Sequence, residues 1–458
     1  MEVAWRRLPQ WTAMTGTALP STAKSIEARL REAGLPPLPR SAWLEIDLSA
    51  IEGNARAIRS MLAPGTSLGA VVKADGYGHG LVATAHAALT GGATMLCVAT
   101  LDEALALQVA GFEAPIFVMF TIPPELLADA LEAGIELTVM DDASVEAVAT
   151  ALGRRAGRAP APKVHLAIDT GMTRGGFLPG EAVLPAQRLF EAGLPRLAGT
   201  WSHLASPEDR DATARQVEAF QAALDGLAVA GVEPGVRHLN STGGLIDDVP
   251  DFDLVRAGLA LYGDLPDDVR VEPDRMAAAS ALRPAMRLKA RAGAIETVPS
   301  GTGVGYGSTW RAERTSRIAI LPVGYADGWT RRYAGATVAR TRGVDVQLVG
   351  RVSMDAVAAD VTDVPDFSPA DEVVLLAPPG EGGNTVDDLA HGRGTIAWEV
   401  LADFSPRLSR VYLEDGRPFG VRYLAGRLVL AAGASLRTKP EDGAAEGATA
   451  GETATRRS

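Results

Sequence analysis

The stretch AVVKADGYGHG, residues 70–80, decides the fold because it joins an apolar strand to a helix through a glycine-rich turn. The strand is predicted at residues 68–72 and ends in Lys73. A lysine at a strand end, beside turn residues that let backbone approach a ligand, is the arrangement that a Schiff-base lysine needs. Its amine must be partly desolvated, so that it is neutral enough to attack a carbonyl. Without these neighbours, a lysine at a strand end is usually an ordinary surface residue.

Short apolar segments alternate with helical patterns on both sides of this stretch. Strands are predicted at residues 68–72, 95–99, 115–119, 136–139, 163–168, 196–202, 236–239 and 254–261. Helical patterns lie between them at residues 101–110, 123–133, 144–152, 181–192 and 212–230. Eight strands with intervening helices predict an α/β fold with a (β/α)8 TIM barrel, rather than a doubly wound sheet.

The pattern changes near residue 283, where β-branched runs separated by Gly, Pro and Asp begin. Strands are predicted at residues 286–290, 318–322, 344–349, 356–361 and 372–376, with short helices at 387–390 and 396–402. This indicates a second, mainly β domain. The predicted divisions are an N-terminal extension at 1–41 with a short helix at 25–33, the barrel at 42–282, the β domain at 283–435, and a disordered tail at 436–458.

Composition excludes several classes of protein. The chain has 458 residues, 47% hydrophobic and 22% charged, which describes a globular protein of two or three domains. A formal charge of −12 argues against nucleic acid and anionic membranes as partners. The single cysteine, Cys97, excludes an internal disulfide framework, and no metal site is predicted. No apolar stretch of about 20 residues and no signal-peptide pattern is found, so the cytoplasm is the expected location.

Polar residues follow several of the predicted barrel strands, at the end where active sites of such barrels lie. They are Lys73, Arg174 in DTGMTRGG, His203 in WSHLAS, Asn240 and Ser241 in HLNST, and Arg256 in VRAGLALYG. Each alone could be an ordinary core or ion-pair residue. Their convergence on one rim indicates a functional site there.

A series of motifs runs in a fixed order along residues 42–430. It comprises WLEIDLSAIEGNARAIR, AVVKADGYGHG, DTGMTRGG, HLNST, VRAGLALYG, GTGVGYGSTW, LPVGYADGW, LVGRVSMDAV and SPRLSRVY. This series resembles the alanine racemase family, which depends on pyridoxal 5'-phosphate (PLP) and has the fold-type III architecture. The resemblance implies a PLP-binding barrel followed by a β domain. It also implies an isomerase that interconverts L- and D-alanine and supplies D-alanine for the peptidoglycan of the cell wall.

The resemblance implies two catalytic bases. Lys73 would carry PLP and act on one face of the substrate, and Tyr306, in GVGYGS, would act on the other. Inverting a stereocentre by proton exchange needs one base on each face. In the family this tyrosine comes from the other subunit, so a head-to-tail homodimer with shared active sites is implied.

Further roles are carried over by the same resemblance. The cofactor would be bound by Lys73, Tyr77, His203, Asn240, Ser241, Arg256, Gly258, Leu259 and Trp398. Within this set, Arg256 would face the pyridine nitrogen, with His203 hydrogen-bonded to Arg256. The substrate carboxylate would meet Arg174 and the backbone N–H of Met354 from the partner chain, and Tyr325 would line the entrance.

Two positions depart from the family pattern. Ala167 stands where the family often has a carbamylated lysine, and Trp398 stands where a tyrosine commonly touches the phosphate. These departures keep open a broad-specificity or serine-preferring racemase of the same family. A more distant alternative is a non-catalytic PLP-homeostasis protein, but those are single-domain barrels. A related decarboxylase is disfavoured because its catalytic loop would carry a cysteine, whereas Cys97 lies in an early strand.

Overall fold

The computed structural model describes residues 24–155, 160–247, 249–266, 269, 271–424 and 426–436. Most of the predicted N-terminal extension and nearly all of the predicted tail, residues 1–23 and 437–458, lie outside the described residues. Within the extension, a helix spans Ile26–Glu32, as predicted, and the Ser25 hydroxyl accepts a hydrogen bond from the N–H of Ala28. This helix covers a small apolar cluster that includes Trp43 and Val411.

The first strand, β1 (Ala42–Asp47), is part of the C-terminal domain's sheet and not of the barrel. It pairs antiparallel with the strand at Met286–Arg291 and parallel with the strand at Ser409–Glu414. The predicted start of the barrel domain at residue 42 is therefore wrong. An apolar strand pattern does not reveal which sheet a strand joins, and here the partners are more than 200 residues away in sequence. The other domain limits stay predictions.

The next eight strands of the described chain are β2 (Ser67–Val71), β3 (Met95–Val98), β4 (Ile116–Val118), β5 (Glu136–Val139), β6 (Lys163–Ala167), β7 (Gly199–Trp201), β8 (Val236–His238) and β9 (Leu254–Ala257). They form a parallel sheet in the order β8-β7-β6-β5-β4-β3-β2-β9. A parallel bridge between Ser241 and Arg256 links the two end strands, so the barrel is nearly closed. The predicted (β/α)8 barrel is confirmed.

Helices cover the outside of these strands, which is why the strands read as continuous apolar runs. The helices of this half are Leu48–Met61, Leu81–Thr90, Leu101–Val109, Leu127–Glu132, Asp142–Arg155, Val183–Glu191, Arg210–Val229, Thr242–Leu245 and Met276–Ala279. The predicted strand at 254–261 was too long. It ends at Ala257, and the buried segment Leu259–Tyr262 is a 3-10 helix. Apolar residues alone do not distinguish a buried strand from a buried helical turn.

The C-terminal domain is mainly β, as predicted. Its strands are β10 (Met286–Arg291), β11 (Ala294–Val298), β12 (Gly303–Val304), β13 (Trp310–Arg311), β14 (Ser316–Leu321), β15 (Val338–Thr341), β16 (Val344–Val349), β17 (Val357–Asp360), β18 (Glu372–Leu376), β19 (Ser409–Glu414), β20 (Arg417–Arg422) and β21 (Leu428–Leu430). All but β12 and β13 join β1 in one sheet. Two short helices, Val386–Arg393 and Ala397–Ala402, lie between β18 and β19.

One buried apolar core runs through both domains, from the barrel strands to the β domain. Across the part of the chain that the structure describes, no helix combines the length and apolar character needed to cross a membrane.

Candidate active site

A cavity of about 900 Å³ opens at the C-terminal ends of the barrel strands. The predicted site residues that line it are Lys73, Tyr77, Arg174, His203, Ser241, Arg256, Gly258, Leu259 and Trp398. They come from segments spread over more than 300 residues of sequence, so the fold brings together most of the predicted set.

Four predicted residues do not line this cavity. Asn240 is buried behind it, where its amide donates to the Val249 carbonyl and its Oδ1 accepts from the N–H of Ser241 at 2.7 Å. Its side chain therefore shapes the turn that carries Ser241 rather than facing the cavity. Tyr306, Tyr325 and Met354 lie on the β domain with exposed fractions of 70%, 43% and 51%.

Lys73, the second residue after β2, extends into the cavity. The pKa of its amine is lowered from the ordinary value of 10.5, chiefly because burial disfavours the ammonium form and also because Arg174 is nearby. Glu103 acts in the opposite direction, and Arg256 lowers the pKa further. A larger fraction of the amine is therefore neutral near pH 7 than for an exposed lysine, which is the state that attacks a carbonyl.

The turn after Lys73 is left-handed. Ala74, Asp75, Gly76, Tyr77 and Gly78 all have positive φ, between 51° and 76°. Left-handed backbone costs about 1–2 kcal/mol for each non-glycine residue, so surrounding contacts must hold this turn. The glycines also provide space, because a Cβ on Gly78 would lie 2.2 Å from the Leu401 carbonyl oxygen.

Contacts from both domains hold the turn. Glu103 accepts a hydrogen bond from the N–H of Ala74 at 2.6 Å. Asp75 accepts from the N–H of Leu81 at 2.9 Å and is paired with Arg422 of β20. The buried Arg410 donates to the Gly78 carbonyl at 3.1 Å. The direction of the Lys73 backbone is thus fixed from the barrel and from the β domain together.

Hydrogen-bond donors without an acceptor among the described residues line the cavity near Lys73. They are the hydroxyls of Tyr77 and Ser241 and the N–H of Leu259, the first residue of its 3-10 helix. Burial raises the pKa of Tyr77 to about 12, so its hydroxyl stays protonated and can donate. The N–H of Gly258, also predicted to bind the phosphate, instead donates to Thr242 Oγ1 at 3.0 Å. The role of Gly258 is steric, since a Cβ there would lie 2.8 Å from the Tyr77 hydroxyl.

Arg256 is fully engaged except at one N–H. Nη1 donates to the Nδ1 and the carbonyl of His238, and Nη2 donates to the Ser202 carbonyl and to His203 Nδ1 at 3.2 Å. The predicted contact between His203 and Arg256 is therefore present. Nε–H has no acceptor among the described residues, although a guanidinium has five donors. Burial lowers the pKa of Arg256 to about 10, so the group remains a cation at neutral pH.

Sequence reasoning missed several residues that hold Arg256. Trp201 lies under its guanidinium, 5.1 Å from the ring centroid. His238 accepts from Nη1 at 2.8 Å and contacts His165, which contacts Glu136. The available signal was a set of polar residues inside apolar strands, such as His165 in KVHLA.

Ala167, which stands where the family often has a carbamylated lysine, is the last residue of β6 and lines the cavity. Within the described part of the chain, Arg174 has no carboxylate within 4.0 Å. The position where the family often has a modified lysine is therefore apolar, and no acidic side chain among the described residues pairs with Arg174 in its place.

Two family descriptions match the chain and together cover most of it. The alanine racemase N-terminal domain matches residues 46–266, and the alanine racemase C-terminal domain matches residues 285–412. An alanine racemase of Desulfovibrio desulfuricans is 39% identical over 381 residues, which cover 82% of this chain and 99% of that protein. An alanine racemase of Salinispora tropica is 41% identical over 378 residues, covering 81% and 98%.

Solved structures agree with the sequence relatives. The alanine racemase of Streptomyces coelicolor A3(2) is 36% identical with a TM-score of 0.75, and the match covers 81% of this chain and 98% of that one. The alanine racemase of Bartonella henselae, solved with covalently bound pyridoxal phosphate, is 27% identical with a TM-score of 0.70, covering 82% and 100%. The two domain matches, the near-complete coverage and the shared fold lead to one conclusion: the chain belongs to the alanine racemase family and is an enzyme that interconverts L- and D-alanine.

Proposed function

We propose that the chain carries out this interconversion with PLP held on Lys73, and with Lys73 and Tyr306 as the two bases. The observation that carries the proposal is the cavity itself, which gathers a lysine of lowered pKa and a set of open donors. PLP presents an aldehyde, a phosphate and a ring nitrogen. The lysine suits the aldehyde, and the hydroxyls of Tyr77 and Ser241 with the N–H of Leu259 suit the phosphate.

The open Nε–H of Arg256 suits the ring nitrogen. A guanidinium can only donate, so the atom that it meets must be an acceptor, which an unprotonated pyridine nitrogen is. The remaining N–H groups of Arg256 are bound by protein, which fixes the side chain in place. The chemistry that PLP supplies when bound is an electron sink for the substrate α-carbon. Holding its nitrogen unprotonated would weaken that sink and limit side reactions such as transamination.

In the proposed reaction, the side chains of this chain bind the substrate and move one proton at a time. Arg174 pairs with the substrate carboxylate, for which no protein carboxylate competes among the described residues. Lys73 Nζ removes or returns the α-hydrogen on one face of the α-carbon. The Tyr306 hydroxyl does so on the opposite face, so that each passage inverts the centre.

Tyr306 does not reach the cavity of its own chain, so we propose that it acts in the cavity of a second copy. Tyr306 and Met354 are largely exposed, and the loops that carry them are neighbours. A Cβ on Gly305 would lie 3.4 Å from the Arg351 backbone nitrogen, and the backbone N–H of Tyr325 donates to the Ser353 carbonyl at 3.0 Å. One face of the β domain thus carries Tyr306 and Met354, the two residues expected from the partner, together with Tyr325 of the expected entrance, which supports a head-to-tail homodimer with shared sites.

The other readings have less support. The relatives described above are named alanine racemases, which does not favour the broad-specificity or serine-preferring alternative. A PLP-homeostasis barrel is disfavoured because the second family domain covers residues 285–412. Supply of D-alanine to peptidoglycan is the proposed role, and a cytoplasmic location stays a prediction from the sequence.

The experiment that tests the proposal is chiral analysis of the purified, PLP-loaded protein incubated separately with L-alanine and L-serine. Dominant formation of D-alanine, with cofactor absorbance that depends on Lys73, is expected. Comparable or greater formation of D-serine would replace the proposal with the broader racemase. An enzyme that racemises alanine without bound PLP would overturn the cofactor assignment.

A further inference from the structure

A row of buried polar side chains crosses the interior of the barrel, from the cavity to the opposite end. Arg256 Nη1 lies 2.8 Å from His238 Nδ1, and His238 Nε2 lies 3.0 Å from His165 Nδ1. His165 Nε2 lies 2.8 Å from Glu136 Oε2, while the other oxygen of Glu136 meets Lys163 at 2.8 Å. Both imidazoles are completely buried. The catalytic roles proposed above make no use of Glu136 or His165.

The chemistry of these groups gives the row a single direction. Arginine has no acceptor, so His238 Nδ1 must carry no hydrogen and the ring proton must be on Nε2. That proton is donated to His165 Nδ1, which places the proton of His165 on Nε2, where it meets Glu136. Every hydrogen bond therefore points from Arg256 towards the carboxylate.

The charges agree with this direction. Although burial raises the pKa of Glu136, the hydrogen bond from His165 and the hydrogen bond and charge of Lys163 lower it overall, so an ionised acceptor ends the row. Burial, and then the charge of Arg256, hold the pKa of His238 well below 6.5, which keeps that ring neutral. Phe117 packs against both imidazoles, with ring centroids 4.3 and 5.4 Å away, and restricts their rotation.

We propose that Glu136 is a positioning residue for Arg256, acting through the ring protons of His165 and His238. With the carboxylate in place, both rings carry hydrogen on Nε2, and His238 offers Arg256 an acceptor. Without the carboxylate, the buried Nε2–H of His165 has no acceptor. The tautomers of both rings with hydrogen on Nδ1 then become similar in free energy to those with hydrogen on Nε2. In the Nδ1–H tautomer, His238 directs an N–H at Arg256 Nη1 across 2.8 Å. Two donors cannot hydrogen-bond to each other, so the guanidinium is displaced from its position.

This inference rests on the proposed function for its catalytic consequence, because Arg256 is assigned there to the ring nitrogen of PLP. Arg256 touches the cofactor in that assignment, whereas Glu136 acts only through other side chains. Displacing Arg256 would leave the ring nitrogen free to take a proton. The positions of the ring hydrogens on His165 and His238 can be measured without using any signal from the cofactor.

The test is ¹⁵N NMR of the histidine side chains in the full-length, PLP-loaded protein, which has only six histidines. In the wild type, His165 and His238 must both carry hydrogen on Nε2. In Glu136→Leu, one or both imidazoles should change tautomer. We expect kcat to fall roughly tenfold or more with little change in KM. The signal of ¹⁵N-labelled PLP should show a more protonated ring nitrogen.

Two further variants separate the effect of the buried row from the effect of the charge on Lys163. Glu136→Gln keeps an oxygen acceptor for His165, so it should restore the wild-type ring forms and most of kcat. Lys163→Met removes the half-exposed cation at Glu136 but leaves the acceptor, so the ring forms should not change. If Glu136→Leu does not fold, His165→Leu interrupts the same row nearer to Arg256 and must give the same change at the PLP ring nitrogen.

The inference is overturned if His238 carries its hydrogen on Nδ1 in the wild type. It is equally overturned if Glu136→Leu keeps the ring forms, the PLP nitrogen signal and kcat of the wild type. Failure of the protein to bind PLP would instead count against the proposed function, since the histidine spectra would still report on the array.

Discussion

Asp75 and Arg422 form a bidentate ion pair across the domain boundary. Nη1 of the arginine donates to Oδ1 of the carboxylate at 2.6 Å, and Nη2 donates to Oδ2. Asp75 follows Lys73 by two residues in the left-handed turn, and Arg422 is the last residue of β20. The β domain therefore helps to fix the lysine on which the proposed chemistry depends.

Breaking this pair should lower stability in a way that depends on pH. Arg422→Met removes the cation and leaves Asp75 partly buried, so a loss of about 1–3 kcal/mol is expected at pH 7. Burial raises the pKa of Asp75, but the hydrogen bond and charge of Arg422 lower it below 3.8 overall. Since the folded-state pKa is depressed, this stabilisation is complete above about pH 5 and is lost as the pH falls through the folded-state value.

Thermal unfolding from pH 3 to pH 7 checks the prediction. The difference in Tm between the wild type and Arg422→Met should be constant above about pH 5 and should narrow at acid pH. Arg188→Met, which breaks an exposed pair with Asp142, is the control and should change Tm little at any pH. A difference in Tm that widens towards acid pH would contradict the assignment of a lowered pKa to Asp75.

Gly258→Ala should weaken PLP binding without unfolding the protein. The added Cβ would meet the Tyr77 hydroxyl at 2.8 Å and push this proposed phosphate donor away. Loss of one hydrogen bond to a charged group corresponds to roughly 10-fold weaker binding or more, measured by fluorescence titration of the cofactor-free protein. Gly226→Ala, where the structure leaves open space in a helix, is the control and should bind PLP normally. Equal affinities in the two variants would argue against Tyr77 as a phosphate ligand.

The rate at which PLP attaches to the protein should reveal the lowered pKa of Lys73. Burial is the main cause, followed by Arg174, so the neutral amine becomes available at a lower pH than for an ordinary lysine. The attachment rate should rise with pH and level off below pH 10.5. Arg174→Leu removes the second cause, so its profile should shift to higher pH. Arg188→Leu, in the helix Val183–Glu191 on the outside of the barrel, is the control and should not shift it.

How far the sequence predicts the fold depends on whether a feature is local. Strand periodicity located all eight barrel strands, because an apolar run bounded by turn residues is a local signal. The placement of β1 in the distant sheet was missed, since pairing with β10 and β19 is set by long-range contacts. The site shows the same division. Motif residues such as Lys73 and Arg256 were found, whereas Glu136 and His165 gain meaning only when adjacent strands place them 2.8 Å apart.

Two inactive variants should restore activity to each other if the sites are shared between subunits. Lys73→Ala alone should lose activity and cofactor attachment, and Tyr306→Phe alone should keep PLP but lose most racemisation. Mixed, refolded or co-expressed, they form hybrid dimers in which one of the two sites has both native residues, so activity should return to about a quarter of the wild-type value. Lys73→Ala mixed with a Lys73→Ala, Tyr306→Phe double variant is the matched control and should stay inactive. A mixture with no more activity than its parts would mean that Tyr306 does not act across the dimer.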